Sequence, residues 1–242
     1  MENPGYIALS RQMALARQME VIANNLANLN TPAFKGEGML FTEYLEQVPG
    51  TDEVSYVQDI ATYRNLSAGP ISNTGNPLDV AINGEGHFVV ETPAGERYTR
   101  NGVFSLDPNG RIVTAQGYPV LGQGGAPLIV PPNAGEIVVA GDGSVSTDIG
   151  PLGRLEVVTF DDLDTLAPVG AGLYDAADQE PTPVAQPTVL QGAIEGSNVI
   201  GVIEMTNMIE TSRSYQSTAR LMEGEHDRQL RAIQNLVTQA QA

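Results

Sequence analysis

The amino-acid sequence predicts an α+β fold in which long N- and C-terminal helices pair as a coiled coil and an all-β domain is inserted between them. Apolar residues recur every three or four positions near both ends of the 242-residue chain, as on one face of a helix. The region between them has short apolar segments separated by turn residues, which is typical of an antiparallel sandwich or an irregular barrel. We therefore predict a discontinuous helical domain at residues 1–35 and 191–242, an extended linker at 36–77 and a β domain at 78–190.

The first helix is predicted to run from Pro4 to Leu29. Asn3 can cap its exposed amides, and Pro4 is well tolerated at the first helical position. The helix should end before Pro32, because proline disfavours the helical conformation of the residue that precedes it. One stripe of the helix carries Leu15, Met19, Ile22, Leu26 and Leu29. Their spacing of 4, 3, 4 and 3 residues suits a coiled-coil partner.

The second helix is predicted to open within QGAIEGSNV, residues 191–199, and to run to about Gln239. Ser197 and Asn198 are its candidate caps. Its apolar stripe includes Val202, Met205, Ile209, Leu230, Ile233 and Val237. The stripe is interrupted midway, where Gly224 should weaken the helix by about 1 kcal/mol relative to Ala. Since the middle of the chain has no comparable stripe, this helix is the predicted partner of the first.

Turn residues divide the middle of the chain into short predicted strands. The turns include Pro93-Ala94-Gly95, Asp107-Pro108-Asn109-Gly110 and Gly141-Asp142-Gly143. The candidate strands are Asp79–Asn83, His87–Thr92, Arg97–Arg100, Val103–Asp107, Arg111–Thr114, Leu128–Val130, Glu136–Ala140, Ser144–Ser146 and Leu155–Phe160. No helix is predicted in this region.

The formal net charge of −17 is unevenly distributed along the chain. Residues 1–50 carry three basic and five acidic side chains, and residues 199–242 carry four basic and five acidic ones. Residues 51–198 carry five basic and nineteen acidic side chains, so the middle is strongly acidic and the ends are nearly neutral. A nucleic-acid surface requires clustered basic residues, whereas this chain has one lysine, Lys35, and eleven scattered arginines. We therefore exclude nucleic acid as a partner and expect the near-neutral ends to suit self-association.

Cysteine is absent, which excludes disulfides, thiolate metal sites and a cysteine nucleophile. The N-terminus lacks the basic region and apolar core of a Sec signal. No window approaches the roughly 18 apolar residues of a membrane helix. We expect a chain that does not span a membrane and that, if exported, uses another route.

No constellation of residues indicates catalysis or a cofactor. His87 and His226 have no spacing that indicates a shared metal, and we interpret both as packing or surface residues. Asp161, Asp162 and Asp164 form the densest acidic cluster but lack the alternating ligands and the Gly of a calcium loop. We predict no catalytic residue, metal or cofactor. The 29 acidic residues nevertheless leave open an unspecified carboxylate pair for glycoside hydrolysis.

The string ANNLANLNTPAFK, residues 23–35, closely resembles the N-terminal signature of the bacterial flagellar axial proteins, the family of rod and hook subunits. The matching positions are Asn24, Asn25, Leu26, Ala27, Asn28, Thr31, Phe34 and Lys35. The chain departs from the signature at Pro32 and Ala33, where many relatives have a small residue and Gly. Three Asn residues at one helix end favour a packed polar contact over simple capping. The resemblance implies that this segment builds the assembly.

Two further parts of the chain resemble the same family. The segments TGNPLDVAINGEGHFVV and YTRNGVFSLDPNGRIVTAQGYPVL are similar to the central β domain of rod and hook subunits. EGSNV and the later EMTNMIETSRSYQSTARLM are similar to the C-terminal signature. The matching positions are Glu195, Gly196, Ser197, Asn198, Val199, Met205, Asn207, Met208, Ile209, Ser214 and Tyr215. The resemblance covers most of the chain, and the text flanking the first motif is most similar to the proximal-rod members.

The resemblance implies a structural subunit of the flagellar basal-body rod. Its terminal helices would pack against those of neighbouring subunits in a tubular shaft that transmits torque, with the β domain facing outward. The implied partners are other rod subunits, including further copies of this chain, and the flagellar type III export apparatus. The implied location is the periplasm-spanning rod, and no catalysis is implied.

Other interpretations remain open at this point. Distal-rod and hook subunits share both signatures. A secreted β-rich glycan-binding or hydrolytic domain would account for the middle of the chain but not for two striped helices. A cytoplasmic coiled-coil adaptor would account for the helices but not for the acidic β region.

Overall fold

The computed structural model describes residues 4–46 and 54–240, except for the side chains of residues 4–5, 42–46, 54–60, 233 and 235–240. Within these residues the chain forms two α-helices and nineteen strands, and every strand pairing is antiparallel. The helices are α1 (Pro4–Ala27) and α2 (Gly201–Ala240). The predicted α+β class is therefore confirmed.

The strands lie between the two helices. In chain order they are β1 (Glu37–Glu46), β2 (Val54–Arg64), β3 (Ile71–Asn73), β4 (Val80–Ile82), β5 (His87–Thr92), β6 (Gly95–Thr99), β7 (Phe104–Leu106), β8 (Ile112–Thr114), β9 (Leu121–Gly122), β10 (Ala126–Pro127), β11 (Ile137–Val139), β12 (Ser144–Thr147), β13 (Gly150–Arg154), β14 (Val157–Thr159), β15 (Ala167–Gly170), β16 (Leu173–Asp175), β17 (Thr182–Pro183), β18 (Val189–Gln191) and β19 (Ala193–Glu195).

The chain divides into two compact units. The helical unit contains α1, α2 and the pair β1–β2. The β unit comprises Leu29–Lys35 and Leu66–Asn198. The segment predicted as a linker, residues 36–77, therefore contains three strands. β1 and β2 pair from Glu37↔Arg64 to Glu46↔Val54, and this ladder satisfies backbone groups that a linker would leave to water.

In the helical unit, α1 packs against α2 and against both strands of the β1–β2 pair. On α2, Thr211 and Thr218 are buried. The half-buried Met208, Tyr215 and Met222 lie on the same face, at alternating spacings of three and four residues. The buried residues of α1 are Ala8, Ala14, Ile22 and Asn25. Small and polar side chains therefore make up much of the buried surface of this unit.

The apolar stripe predicted on α2 lies on the opposite face. Val202 is 76% exposed, and Met205 and Ile209 are each 53% exposed. Ile209 precedes Thr211 by two residues, so the two side chains lie about 160° apart around the helix. The remaining predicted positions are Leu230, which is exposed, and Ile233 and Val237, whose side chains lie outside the described residues. Within one chain, the described part of this stripe does not supply the buried face of α2.

On α1, the predicted stripe includes the buried Ile22 and the half-buried Leu15 and Met19. Leu29 lies beyond the end of the helix, so its predicted place on the stripe is wrong. The helix ends at Ala27 because Asn28 closes it. The side-chain Nδ2 of Asn28 donates to the backbone oxygen of Asn24 (2.9 Å) and to its Oδ1 (3.0 Å).

The predicted start of α2 within residues 191–199 is also wrong. Those residues lie partly in β18, which pairs with β4, and in β19, which pairs with β3. The carbonyl of Ile200 accepts from the amides of Ile203 (3.0 Å) and Glu204 (3.1 Å). Ile200 therefore occupies the cap position, and Ser197 and Asn198 do not.

The β unit contains a six-stranded sheet of order β15-β16-β6-β5-β14-β17, and β5 lies in its middle. Phe88 and Val90 of β5 pack into the larger apolar cluster, together with Ile82, Val120 and Leu155. The intervening Val89 joins a second cluster, whose other members include Tyr98, Val158 and Phe160. Because successive side chains of β5 point to opposite faces of the sheet, this one strand contributes to both clusters.

Candidate functional site

The two signature segments meet at the carboxylate of Glu195, which is 2% exposed. Its Oε1 accepts from Lys35 Nζ (2.6 Å) and from the Gly69 amide (2.9 Å). Its Oε2 accepts from Arg100 Nε (2.9 Å) and lies 2.9 Å from a terminal guanidinium nitrogen of the same side chain. The last residue of the N-terminal signature and the first of the C-terminal signature thus form a buried ion pair. We call Lys35, Arg100 and Glu195 the ion cluster.

Backbone hydrogen bonds hold the same segments together. The Ala33 amide donates to the Glu195 carbonyl (2.8 Å), and the Asn198 amide donates to the Phe34 carbonyl (3.2 Å). Asn198 Nδ2 and Lys35 Nζ both donate to the carbonyl of Ser67, at 2.9 Å each. The chain passes from one unit to the other after residues 28, 35, 65 and 198. These contacts therefore join three of the four chain segments at which the β unit begins or ends.

Burial and the neighbouring charges shift the pKa values of Lys35 and Glu195 in the ion cluster. Burial lowers the pKa of Lys35, and the hydrogen bond and charge of Glu195 oppose only part of that effect. Burial acts to raise the pKa of Glu195. Hydrogen bonds from Lys35 and Gly69 and the charge of Arg100 outweigh it, so this pKa lies below its ordinary value. Glu195 is thus held as the anion between two buried cations.

His87 lies in the same part of the β unit and is 7% exposed. Its ring meets the rings of Phe160 and Tyr174 edge-on, with centroids 6.0 and 5.9 Å away. Burial, followed by the positive charges of Arg100 and Lys35, lowers the pKa of His87 to about 4. Among the described side chains, His87 Nδ1 is buried without a hydrogen-bond partner. The residue is therefore a neutral packing residue at pH 7.

Arg100 also explains the conformation of the segment Gly84-Glu85-Gly86. Its NH1 nitrogen donates to the carbonyls of Gly84 (2.8 Å) and Gly86 (2.6 Å). The guanidinium thus uses one edge for Glu195 and another for this turn. Sequence reasoning missed Arg100 and Gly69. The available signal was the single lysine inside a family motif, since a buried ammonium requires a partner.

Asn25 has the corresponding role at the end of α1 in the helical unit. It is 4% exposed, and its Oδ1 accepts from the Glu37 amide (2.9 Å). Its Nδ2 donates to the Glu37 carbonyl (2.8 Å) and to the Glu204 carboxylate (3.3 Å). One side chain therefore ties α1 to β1 and to α2.

The other signature residues fall into two groups. Those with little or partial exposure are Leu26, Asn28, Phe34, Gly196, Ser197, Asn198, Val199, Asn207, Met208, Ser214 and Tyr215. The exposed ones are Asn24, Ala27, Thr31, Met205 and Ile209. The structure thus brings the signatures together within one chain and leaves a smaller set accessible to other molecules.

Metal and membrane sites are not found in the part of the chain that the structure describes. No group of three or more His, Asp or Glu side chains there could hold a metal ion. The Asp162 carboxylate accepts from the Asp164 amide (3.0 Å), and its backbone carbonyl accepts from Thr165 and Gln179. Across residues 4–46 and 54–240, neither helix combines the length and apolar character needed to cross a bilayer.

Three family models match separate parts of the chain. One is described as "Flagella basal body rod protein" and matches residues 6–35. A second, "Flagellar hook protein FlgE/F/G D1 domain", matches residues 81–147. The third, "Flagellar basal body rod FlgEFG protein C-terminal", matches residues 190–235. The first and third contain the two segments that meet at Glu195.

Similarity to individual proteins extends over nearly the whole chain. The flagellar basal-body rod protein FlgF of Caulobacter vibrioides is 41% identical over 241 residues, which cover 98% of each chain. The chain belongs to the flagellar basal-body rod protein family. FlgF of Escherichia coli is 32% identical, with 98% of this chain and 99% of that protein covered. The rod protein FlgG of Bacillus subtilis is 30% identical, with coverages of 90% and 92%.

Membership of the rod family confirms the resemblance found in the sequence. The chain is a FlgF-like structural subunit of the flagellar basal-body rod. The family is one of structural proteins and not a known enzyme family, and the secreted β-rich domain is not favoured. The ion cluster and Asn25 therefore belong to the framework of a structural subunit.

Proposed function

We propose that this rod subunit assembles through its terminal helices, paired as a coiled coil, into the proximal part of a tubular shaft that transmits torque. One observation carries the proposal: three large apolar side chains near the start of α2 face outward, on the side opposite its two buried threonines. Val202, Met205 and Ile209 are exposed, whereas Thr211 and Thr218 are buried. This arrangement is opposite to that of an isolated helix pair.

The energies favour contacts with neighbouring subunits. Fully burying one Val, Ile or Met side chain contributes roughly 1.5–3 kcal/mol. The buried side chains Ala8, Ala14, Thr211 and Thr218 offer less apolar surface for α1–α2 packing. Covering the outer stripe therefore adds apolar burial that the α1–α2 pair of one chain does not supply. Contacts of this kind are heterologous, and they propagate along a helical filament when the rotation between copies does not close a ring.

The signature residues take different roles in this proposal. Asn25, Lys35 and Glu195 hold the ends of the helices within one subunit. Exposed positions such as Asn24 and Thr31 supply contacts between subunits. The strongly acidic middle of the chain remains solvated on the outside of the shaft.

The proposed partners are other rod subunits, including further copies of this chain. Export through the flagellar type III apparatus and a position in the periplasm-spanning rod are proposed from the family resemblance. The relatives named above are rod proteins, which supports both proposals.

The proposal is tested by making the exposed stripe polar in a motile strain. The variant carries Val202→Gln, Met205→Gln and Ile209→Gln. We expect normal circular dichroism, absence of the protein from isolated basal bodies and loss of swimming. Deletion of residues 1–30 should also abolish swimming while the β unit stays folded.

A matched control changes three exposed apolar residues of the β unit, with Val138→Gln, Ile149→Gln and Val169→Gln. These side chains are 44%, 58% and 50% exposed. The control strain should swim. Normal swimming by the strain with the polar α2 stripe would refute assembly through the terminal helices.

A further inference from the structure

The helical unit contains a groove between the start of α1 and the middle of α2. Its volume is about 390 Å³. Ile7, Ala8 and Leu221 supply apolar walls, and Arg11 and Ser217 also line the groove. Leu221 is 61% exposed. The groove is therefore an accessible apolar recess.

The exposed stripe of α2 lies far from this groove. Asn25 near the end of α1 contacts Glu204 near the start of α2, and Ala8 lines the same groove as Thr218. The two helices are thus antiparallel, with the stripe at one end of the pair and the groove at the other. Sixteen residues from Met205 to Leu221 correspond to about 24 Å along the axis. One chain cannot place its own stripe in its own groove.

We propose that the stripe of Val202, Met205 and Ile209 in one copy occupies the groove of a second copy. This inference rests on the proposed function and names the surfaces that meet. The stripe is convex and apolar, and the groove is concave and partly apolar. The contact joins two different surfaces of one chain, so each copy offers a free stripe and a free groove for the next.

Charge permits a second copy as the occupant. Glu210 and Arg213 are both exposed beside the stripe, so its flank has no net charge that would repel Arg11 of the groove. The terminal segments 1–50 and 199–242 carry formal charges of only −2 and −1, because each has almost as many basic as acidic residues. Two copies can approach through these segments without strong repulsion.

The chain contains no cysteine, so engineered cysteines report this contact directly. Met205→Cys and Leu221→Cys are made as single variants and co-produced in one strain lacking the wild-type chain. Both side chains are exposed, so neither change should disturb folding. After mild oxidation of isolated basal bodies, we expect a covalent dimer with both variants present and at least tenfold less with either alone. Ser217→Cys replaces Leu221→Cys as a second probe of the groove.

The control pairs Met205→Cys with Ile149→Cys of the β unit and should give no dimer. Basal bodies that contain both variants but yield no dimer with either groove position would overturn the inference while leaving the proposed function intact. Dimers that form equally well from Met205→Cys alone would also overturn it, because they indicate a symmetric contact. Absence of the folded single variants from basal bodies would agree with assembly through the helices, as it does for the polar stripe variant.

Discussion

Glu195 supplies the only acidic side chain of the ion cluster, and removing its charge is expected to destabilise the β unit strongly. Glu195→Gln leaves Lys35 and Arg100 buried without an anion. Removing one partner of a buried ion pair costs about 3–5 kcal/mol. We expect a loss of that size in the free energy of unfolding, measured by urea titration with circular dichroism.

The control for that measurement is an ion pair of similar length at the surface. Glu225 and Arg228 are 2.6 Å apart, and the Arg228 side chain is 73% exposed. Glu225→Gln should leave the unfolding midpoint of the β unit almost unchanged. Equal effects of the two substitutions would show that the buried cluster does not stabilise the unit.

His87 should make the stability of the β unit depend on pH. Its pKa in the folded chain is about 4, below the ordinary value of 6.5, so the unfolded chain binds more protons between these values. Stability should therefore fall as the pH falls from about 6.5 to 4, by up to about 3 kcal/mol. The cations that face His87 are Arg100 and Lys35, and Glu195 opposes them.

The measurement compares urea midpoints at pH 7 and pH 5 for the wild type and His87→Leu. The wild type should lose stability over this interval, and the variant should not. Glu195, whose pKa is lowered, loses its contribution only as the pH falls below its unfolded value, which separates the two effects. A variant that keeps the full wild-type dependence would contradict the assignment to His87.

At the scale of single elements, Gly224 is a weak point in α2. It lies inside the helix, and a Cβ built on it meets no other heavy atom within 4 Å. Gly224→Ala should therefore stabilise the helix by about 1 kcal/mol. The expected observation is increased helical ellipticity on mild heating, with Ala219→Gly as the control of opposite sign. No change in either variant would indicate that this part of α2 does not limit its stability.

The elements also show what the sequence could predict. β5 was predicted with its true bounds because HFVVET is apolar and lies between turn residues. β13 (GPLGR), β15 (APVG) and β17 (TP) were not predicted, because their Gly and Pro residues give no alternating pattern. Leu128–Val130 contributes only an isolated bridge, between Ile129 and Arg111. Such strands form because their backbone pairs with another segment of the chain, and local composition does not indicate that pairing.

The candidate site was predictable in part for a related reason. Lys35 and Glu195 both stood out as motif residues, but their mutual contact spans 160 positions in the sequence. Spacing places Val202, Met205 and Ile209 on one face of α2, but spacing does not tell which partner covers that face. Asn25 was interpreted as an assembly contact, whereas its hydrogen bonds lie within the chain.

At the scale of the whole molecule, the β1–β2 pair should be removable without loss of the β unit. The Asn65 amide donates to the Gly36 carbonyl at 2.7 Å, so two residues placed between them would form a four-residue turn with the same hydrogen bond. Replacing residues 37–64 by Gly-Gly should therefore close the chain without strain. Lys35 and Ser67 remain in place, so we expect the urea midpoint of the β unit to be unchanged.

A second deletion variant provides the comparison. The same Gly-Gly replacement combined with Glu195→Gln should lose about 3–5 kcal/mol, as Glu195→Gln does in the full chain. If the simple deletion already lowers the midpoint by that amount, the β unit depends on the β1–β2 pair, and its separation into an independent unit is wrong.

The ion cluster also has a consequence for the time course of folding. The anion that Lys35 and Arg100 require lies 160 and 95 positions later in the chain. Contacts over such separations form slowly, because a long loop must close before they contribute. During synthesis the β unit cannot complete its native core until residue 195 has been added. The β unit therefore remains unfinished until that residue has been made.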